Sequence, residues 1–397
     1  MLEINKSSVE SLSIEKSSNM VRKEDIDSWV SELLMGGQKE AVSIVRKECL
    51  IPDTGKDGVI FPPTFAPSKE VENEGESKGS DYIIDTGPDG KNIVLLDSVG
   101  SQANRMEALF LENAEYGELV PQVTITAELD GKTAVFSLLE AAHRAADSFI
   151  RFSTLASKAE EAISAVEEGD YTKLARFSPT SIVFGLWDSR GISHGRIKIP
   201  RAITSVVRGY DAYRLNRGAQ FTPVLRKKFS KDQVEEAVKV HNAEKLSDLG
   251  LGEVPWRGPG GVIVRGDIVR ESALSLICIK NLRAKENGKY SPEQTTKLQK
   301  YILGLALIAM LSPLSPEYRS GTRLVPDKNK QNNPDVYAVK RDGTIDHIEL
   351  GLEDMLEFCK KARTDFFGAE KIEALEGRFE FSLVKSEAKV NPKKKTE

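Results

Sequence analysis

The sequence is poor in the residues that build disulfide frameworks and metal centres. Its three cysteines, Cys49, Cys278 and Cys359, lie far apart, are odd in number and form no CxxC pair. A disulfide scaffold and a zinc site are both unexpected, and a reducing, cytoplasmic setting fits. Four histidines, His143, His194, His241 and His347, are too scattered to suggest a histidine-based metal centre. There is no GxSxG, no Gly-Lys-Ser/Thr phosphate loop, no GxGxxG and no obvious pair of catalytic carboxylates. The chain therefore offers poor material for catalysis, and neither a metal nor a cofactor is expected. No apolar run approaches the ~18 residues of a membrane span. The longest, Tyr301 to Leu311, has 11 residues with Gly304 inside it and suits a buried helix. The N-terminus alternates in charge and lacks the apolar centre of a signal peptide.

What is present is ordinary globular material. The 397 residues are 40% apolar with a formal net charge of −4, enough for a sizeable core and for two or three domains or one domain with large insertions. Hairpins are expected where Pro88-Asp89-Gly90 and Asp130-Gly131 separate apolar strand-like runs. Ile26, Trp29, Val30, Leu33 and Leu34 have helical spacing, ended by Gly36-Gly37. Residues 139–168 suggest a long Ala-rich helical region of one or two helices, and 226–257 look helical and charged. Residues 267–283 suit helix or strand. Ser291-Pro292-Glu293 opens a helix to about Leu311, and 352–364 is another. The order of elements predicts an α+β fold. Four regions follow: 1–80 with a helix and an acidic, Pro-rich loop, 81–225, 226–380, and a basic tail at 381–397 expected to be disordered.

The charge is unevenly placed. Residues 190–228 hold ten Lys or Arg and one acid, a net +9 inside an acidic chain. Such a local excess attracts polyanions. Arginine dominates, which suits phosphate, and Tyr210, Tyr213 and Phe221 are interleaved as rings on which a base can stack. The alternative is a solvated face paired to acids elsewhere. Segment 97–107 (DSVGSQANRME) offers small hydrogen-bonding groups after a strand, suited to nucleic acid or simply to a helix cap. His143 and Asp147 in HRAAD are four apart, either a catalytic base with its partner or a structural pair. In FGLWDSRG, Trp187 is most simply core, and Asp188 with Arg190 fits a local ion pair. The glycine run GPGGVIVRG is a hairpin turn or a phosphate nest.

These segments together carry a resemblance. SDYIIDTGPDGKNIVLLDSVGSQANRMEALF, VPQV, AAHRAADS, SPTSIVFGLWDSRG and KIPRAITSVVRGYDA resemble CRISPR-associated RAMP proteins. The nearest likeness is to the backbone (Cas-seven type) subunit of the type I-U, now type I-G, interference (Cascade) complex. It covers about 81–215 well and extends more loosely to about 330. The resemblance implies an RNA-recognition-motif (ferredoxin-like) core with large insertions, hand-like, with a thumb hairpin. It implies copies lined head to tail along the spacer of a guide RNA (crRNA), presenting bases to target DNA. It also implies partner subunits: a guide-processing or capping subunit, a large subunit and a helicase-nuclease that cuts. Such a subunit binds backbone while base pairing reads sequence. The usual RNP signature is absent, so stacking on the sheet is not assumed.

The basic strip and the polar motifs give the candidate RNA contacts: Ser101, Gln102, Asn104, Arg105, Arg144, Arg190, His194, Arg196, Lys198, Arg201 and Arg208. No catalytic residue is assigned. The rival readings are an endoribonuclease of precursor guide RNA, with His143 or His194 as base, and a metabolic enzyme whose basic strip binds a nucleotide.

Overall fold

The computed structural model describes residues 19–37, 40–66, 81–189, 197–221, 230–240, 246–251, 254–369 and 371–390, and the fold is α+β. Helix α1 (Ile26–Leu34) precedes strand β1 (Ala41–Pro52). Strands β2 (Ile84–Thr86) and β3 (Asn92–Asp97) form a hairpin that leads into helix α2 (Val99–Glu112). Strands β4 (Val123–Leu129) and β5 (Lys132–Ser137) form a second. Its turn residues Asp130 and Gly131 have φ of +50° and +73°, the left-handed pair that a two-residue hairpin loop requires. Helix α3 (Ala156–Glu167) follows, then the short pair β6 (Leu186–Trp187) and β7 (Lys198–Ile199), then β8 (Ile203–Tyr210). Strands β9 (Ala212–Phe221) and β10 (Val254–Val264) pair with each other, and helix α4 (Lys231–Val240) lies in their connection. Beyond them come β11 (Ile268–Ser275), α5 (Pro292–Leu311), β12 (Thr322–Pro326), β13 (Asp335–Lys340), β14 (Ile345–Glu349), α6 (Leu352–Phe367), β15 (Leu375–Arg378) and α7 (Phe381–Val390).

One ten-stranded sheet organises the molecule, its main path running from residues 19–20 through β14, β13, β1, β11, β8, β3 and β2. The four central strands, in chain order β1, β8, β11 and β13, lie side by side as fourth, first, third, second, and every pair is antiparallel. Side chains alternate between the two faces, as the period of a strand dictates. Inward go Ile44, Arg46, Glu48 and Leu50 of β1, Ile268, Arg270, Ser272 and Leu274 of β11, and Ile203, Ser205 and Val207 of β8. At one end of this face Ile44, Leu274 and Ile203 join the main core with α2, α5 and α6. At the other, Leu50, Ile268 and Val207 join a second core with Ile60, Val94, Leu96 and Val262.

Helix α5 begins as its sequence predicts: Ser291 Oγ accepts from the Gln294 amide at 3.3 Å, and Pro292 occupies the first turn. Its second half, residues 301–310, is apolar all round because it is buried on every side. Tyr301 stacks on Phe366 of α6 at 5.4 Å, and at Gly304 an added Cβ would lie 3.0 Å from Cys359 Sγ. Glycine there lets the two helices close up.

Several expectations are corrected. The Ala-rich 139–168 is helical in more pieces than the one or two helices expected: 3-10 turns at Leu138–Glu140 and Arg144–Ala146 and a short helix at Ser148–Arg151 precede α3. Arg144 sits at φ +51°, outside the right-handed region, so no helix can run through it. Within 226–257, Lys231–Val240 is helical while Val254–Val264 is a strand, because β9 supplies the neighbouring edge to pair with. Residues 267–283 contain both candidates, strand β11 and then the short helix Leu276–Lys280. Residues 381–390, placed with the tail, form helix α7, and 391–397 lie outside the described residues. Among the described residues no helix is long and apolar enough to cross a membrane, and no group of three His, Cys, Asp or Glu is placed to hold a metal ion.

Candidate nucleic-acid interface

The SQANR motif turns inward. Ser98 caps α2, its Oγ accepting from the Ser101 amide at 3.2 Å. The next turn carries Gln102 down onto the sheet, where it is fully buried. Its Nε2 donates to Asp97 Oδ2 at 2.6 Å, and its Oε1 accepts from Ser205 Oγ at 2.9 Å, which in turn accepts from Ser272 Oγ at 2.9 Å. Arg105 donates from Nε to the same Asp97 oxygen at 3.0 Å and reaches the carbonyls of Glu317, at 3.1 Å, and Tyr318, and its guanidinium lies 4.8 Å from the Tyr318 ring centre. Beside this chain, Glu48 bridges Arg46 at 3.0 Å and Arg270 at 2.8 Å, all three buried. Two arginines and one glutamate thus form a polar layer between the two apolar ends of the sheet. Of the motif, only Asn104 is exposed, while Ser101 is half-buried.

The HRAAD segment forms the floor of an opening. Arg144 is buried; its Nε donates to Glu107 Oε2 at 2.8 Å and its Nη1 to the Gly185 carbonyl at 3.2 Å. Burial pushes the Glu107 carboxyl up to about 7, against the pull of Arg144. Asp147 does not hold the His143 ring. Its carboxylate instead accepts from the amides of His143, at 3.2 Å, and Phe149, at 3.3 Å, and so caps the short helix that follows.

Gly185 fixes the other wall. It has φ +82°, and a Cβ there would lie 2.8 Å from Arg201 Cγ and 3.1 Å from the Ile199 carbonyl oxygen. Only glycine admits so close an approach. From that point β6 and β7 pair antiparallel, Leu186 against Ile199 and Trp187 against Lys198. The first pair is buried and the second faces outward. Trp187, expected as core, is 60% exposed. A strand of two residues has one inward and one outward position, and Leu186 takes the inward one. The result is a cleft of about 370 Å³ lined by His143, Arg144, Trp187, Lys198 and Arg201 with the intervening backbone. Segments remote in sequence, HRAAD, FGLW and KIPR, converge there. Arg190, His194 and Arg196 lie outside the described residues.

Beyond the cleft, β8 and β9 carry the rest of the basic strip. Arg208 and Tyr210 project from the open face of the sheet. Arg214 pairs with Asp81 at 2.6 Å, the Tyr213 ring is covered by Arg265 at 4.7 Å, and Arg217 is exposed. Among the described residues, Lys198, Arg201, Arg208 and Arg217 have no acidic partner. Some exposed cations elsewhere are paired, as Lys173 with Glu161, Lys297 with Glu293, Lys330 with Asp267 and Arg323 with Asp53, while Lys56, Lys91, Lys132 and Lys289 are also without an acid among the described residues but lie scattered along the chain. The open face also brings together Lys47, Tyr337 and His347, with His347 Nδ1 2.7 Å from Asp335 Oδ1. Sequence reasoning missed this set because 300 residues separate Lys47 from His347 and only strand register joins them. It also missed Arg46, Glu48 and Arg270, although charged residues at every second position of an apolar strand were a visible signal.

No curated protein matches the chain. Residues 44–214, which span β1, the polar layer's α2 and the cleft, match the sequence model of a family described as CRISPR-associated protein GSU0053 (Cas_GSU0053). That likeness covers 171 of the 397 residues and is to a CRISPR-associated family.

Proposed function

We propose that this chain is a guide-RNA-binding backbone subunit of a CRISPR interference complex, of the Cas-seven type in the I-U/I-G class. Copies line up head to tail along the spacer part of the guide and leave its bases free to pair with target DNA. The observation that carries this reading is the row of exposed cations Lys198, Arg201, Arg208 and Arg217, which lack acids among the described residues of a chain whose net charge is −4. Unpaired cations are stored attraction for phosphate. Because a spacer varies in sequence, its carrier must hold backbone and shape.

The fourth–first–third–second antiparallel order of the central strands supports a ferredoxin-like, RNA-recognition-motif core. The long β9–β10 hairpin, inserted between the second and third of those strands, is our candidate for the thumb. Of the eleven sequence-predicted contacts, Lys198, Arg201 and Arg208 keep the role of phosphate ligands in this reading, joined by Arg217, with Asn104 and Ser101 as polar support. Gln102, Arg105 and Arg144 position the scaffold. Arg190, His194 and Arg196, which lie outside the described residues, remain proposed ligands. In this reading the subunit cuts nothing and needs no cofactor, and its partners are the guide-processing or capping subunit, the large subunit and the helicase-nuclease.

The test is RNA binding by the full chain over a range of salt concentrations. Four to six phosphate contacts give a fall of log K with log salt of roughly 3–4, at ~0.7 per contact on a single strand. A flat response removes the proposal. The endoribonuclease reading keeps one observation in its favour, the exposed His143 in the cleft. Incubation with precursor guide RNA separates the two: discrete products lost on His143→Ala belong to a nuclease, and intact RNA to a backbone subunit.

A further inference from the structure

We infer that the cleft beside Trp187 is a stacking subsite for one unpaired nucleotide, its base lying on the Trp187 indole and its phosphate between Lys198 and Arg201. The inference rests on the RNA-binding reading above and adds a contact that is neither ionic nor specific for sequence.

Three features of the cleft carry it. The first is the exposed indole. Trp187 keeps 60% of its surface in water, although nothing in its short strand prevents a polar residue there. A tryptophan offers one of the largest apolar areas of any side chain, so leaving it bare is costly unless something comes to cover it. Among the described residues no ring or cation covers Trp187, whereas Tyr213, an exposed ring of the basic strip, is already occupied by Arg265 at 4.7 Å. Of these two platforms, only Trp187 is free.

The second feature is rigidity. Trp187 sits directly across from Lys198, with Leu186 and Ile199 buried beneath. Arg201 passes so close to Gly185 that no side chain fits between them, and the Gly185 carbonyl is held by buried Arg144, itself held by Glu107. Arg144 has no role as a ligand here. It fixes the turn from which the indole and the Arg201 chain emerge. A platform fixed in advance loses little freedom when a base lies on it.

The third is size and charge. A volume of about 370 Å³ lies at the small end of ligand sites, roughly 300–1,000 Å³, which suits one nucleotide and excludes a duplex. Lys198 and Arg201, on the walls, have no acidic partner among the described residues. Aromatic platforms accept any base because each has a π-face, and a carrier of variable RNA needs that tolerance.

The experiment uses the full chain with oligouridylate, oligoadenylate and an oligomer carrying abasic positions, read by tryptophan fluorescence and by affinity across salt concentrations. The expected result is quenching by both RNAs, weaker affinity for the abasic oligomer, and about tenfold loss of affinity in Trp187→Ala with the salt slope unchanged. Trp187→Phe restores most of that affinity. Arg201→Ala lowers the slope, so the ionic and stacking contributions separate. If Trp187→Ala binds RNA as wild type does and its remaining tryptophans are quenched to the same extent, the subsite is wrong and the RNA-binding reading stands. If the wild-type chain binds no RNA at low salt, the reading itself fails and takes the subsite with it. Trp187 is at the surface, so its substitution does not put folding at stake.

Discussion

SQANR and KIPR are short arginine-bearing motifs of similar chemistry that end in opposite environments. Arg105 of SQANR lies against the polar layer with its guanidinium committed to Asp97 and two backbone carbonyls. Arg201 of KIPR borders an open cleft, with no acid beside it among the described residues. What separates them is the neighbourhood. Asp97, at the end of β3, is buried and faces α2, so the helix must bring it donors, and Gln102 and Arg105 supply them. An arginine becomes structural where an acid already waits in the interior. It stays available where the facing segment, Gly185 to Trp187, brings no acid.

The contrast breaks first at the buried layer. Replacing Glu48 with Ala leaves Arg46 and Arg270 charged, buried and unpaired, and should cost roughly 3–5 kcal/mol, read as a fall in the denaturant midpoint. No such loss would mean that the layer is hydrated rather than dry.

Next comes the direct exchange. Arg105→Ala should lose about 1.5–3 kcal/mol of stability, the scale of hydrogen bonds to a charged group, with the salt dependence of RNA binding unchanged. Arg201→Ala should stay within about 0.5 kcal/mol of wild type in stability, with RNA affinity reduced. If both variants lose both properties, the division between interior and surface arginines is false.

The double variant Lys198→Ala/Arg201→Ala sharpens the surface side. Its salt slope should drop by about 1.4, two contacts at ~0.7 each, measured with single-stranded RNA. A drop near zero would place the phosphates elsewhere on the strip.

A pH-dependent effect concerns the cleft floor. Burial raises Glu107 from 4.5 to about 7 in the folded protein, so the native state binds this proton more tightly than the unfolded chain does. That contribution to stability is fully present below about 4.5 and is lost as the pH rises through about 7. Glu107→Gln should flatten this part of the stability profile between those values, as unfolding at a series of pH values will show. An unchanged slope would mean that Arg144 keeps the carboxyl ionised throughout.

Much of the fold was legible from local chemistry. Asp130-Gly131 could only be a tight turn, and Ser291-Pro292 could only open a helix before the long apolar run. The Ala-rich stretch misled, because composition suggests a helix while Arg144 takes a left-handed backbone and pairs with Glu107 across the chain. Trp187 misled in the same manner: a two-residue strand has no period from which to judge its facing. The open-face set of Lys47, Tyr337 and His347 carried no sequence signal, since strand register alone assembles it.

By itself, then, the order of residues settled the α+β class, the main hairpins and capped helices, and the net +9 of residues 190–228. Those properties depend on neighbours within a few positions or on simple addition of charge. Which arginines are sealed against carboxylates and which face water was decided only when strands distant in the chain came into register. A side chain's partner is a matter of three-dimensional proximity, and a charge left without one is available to bind.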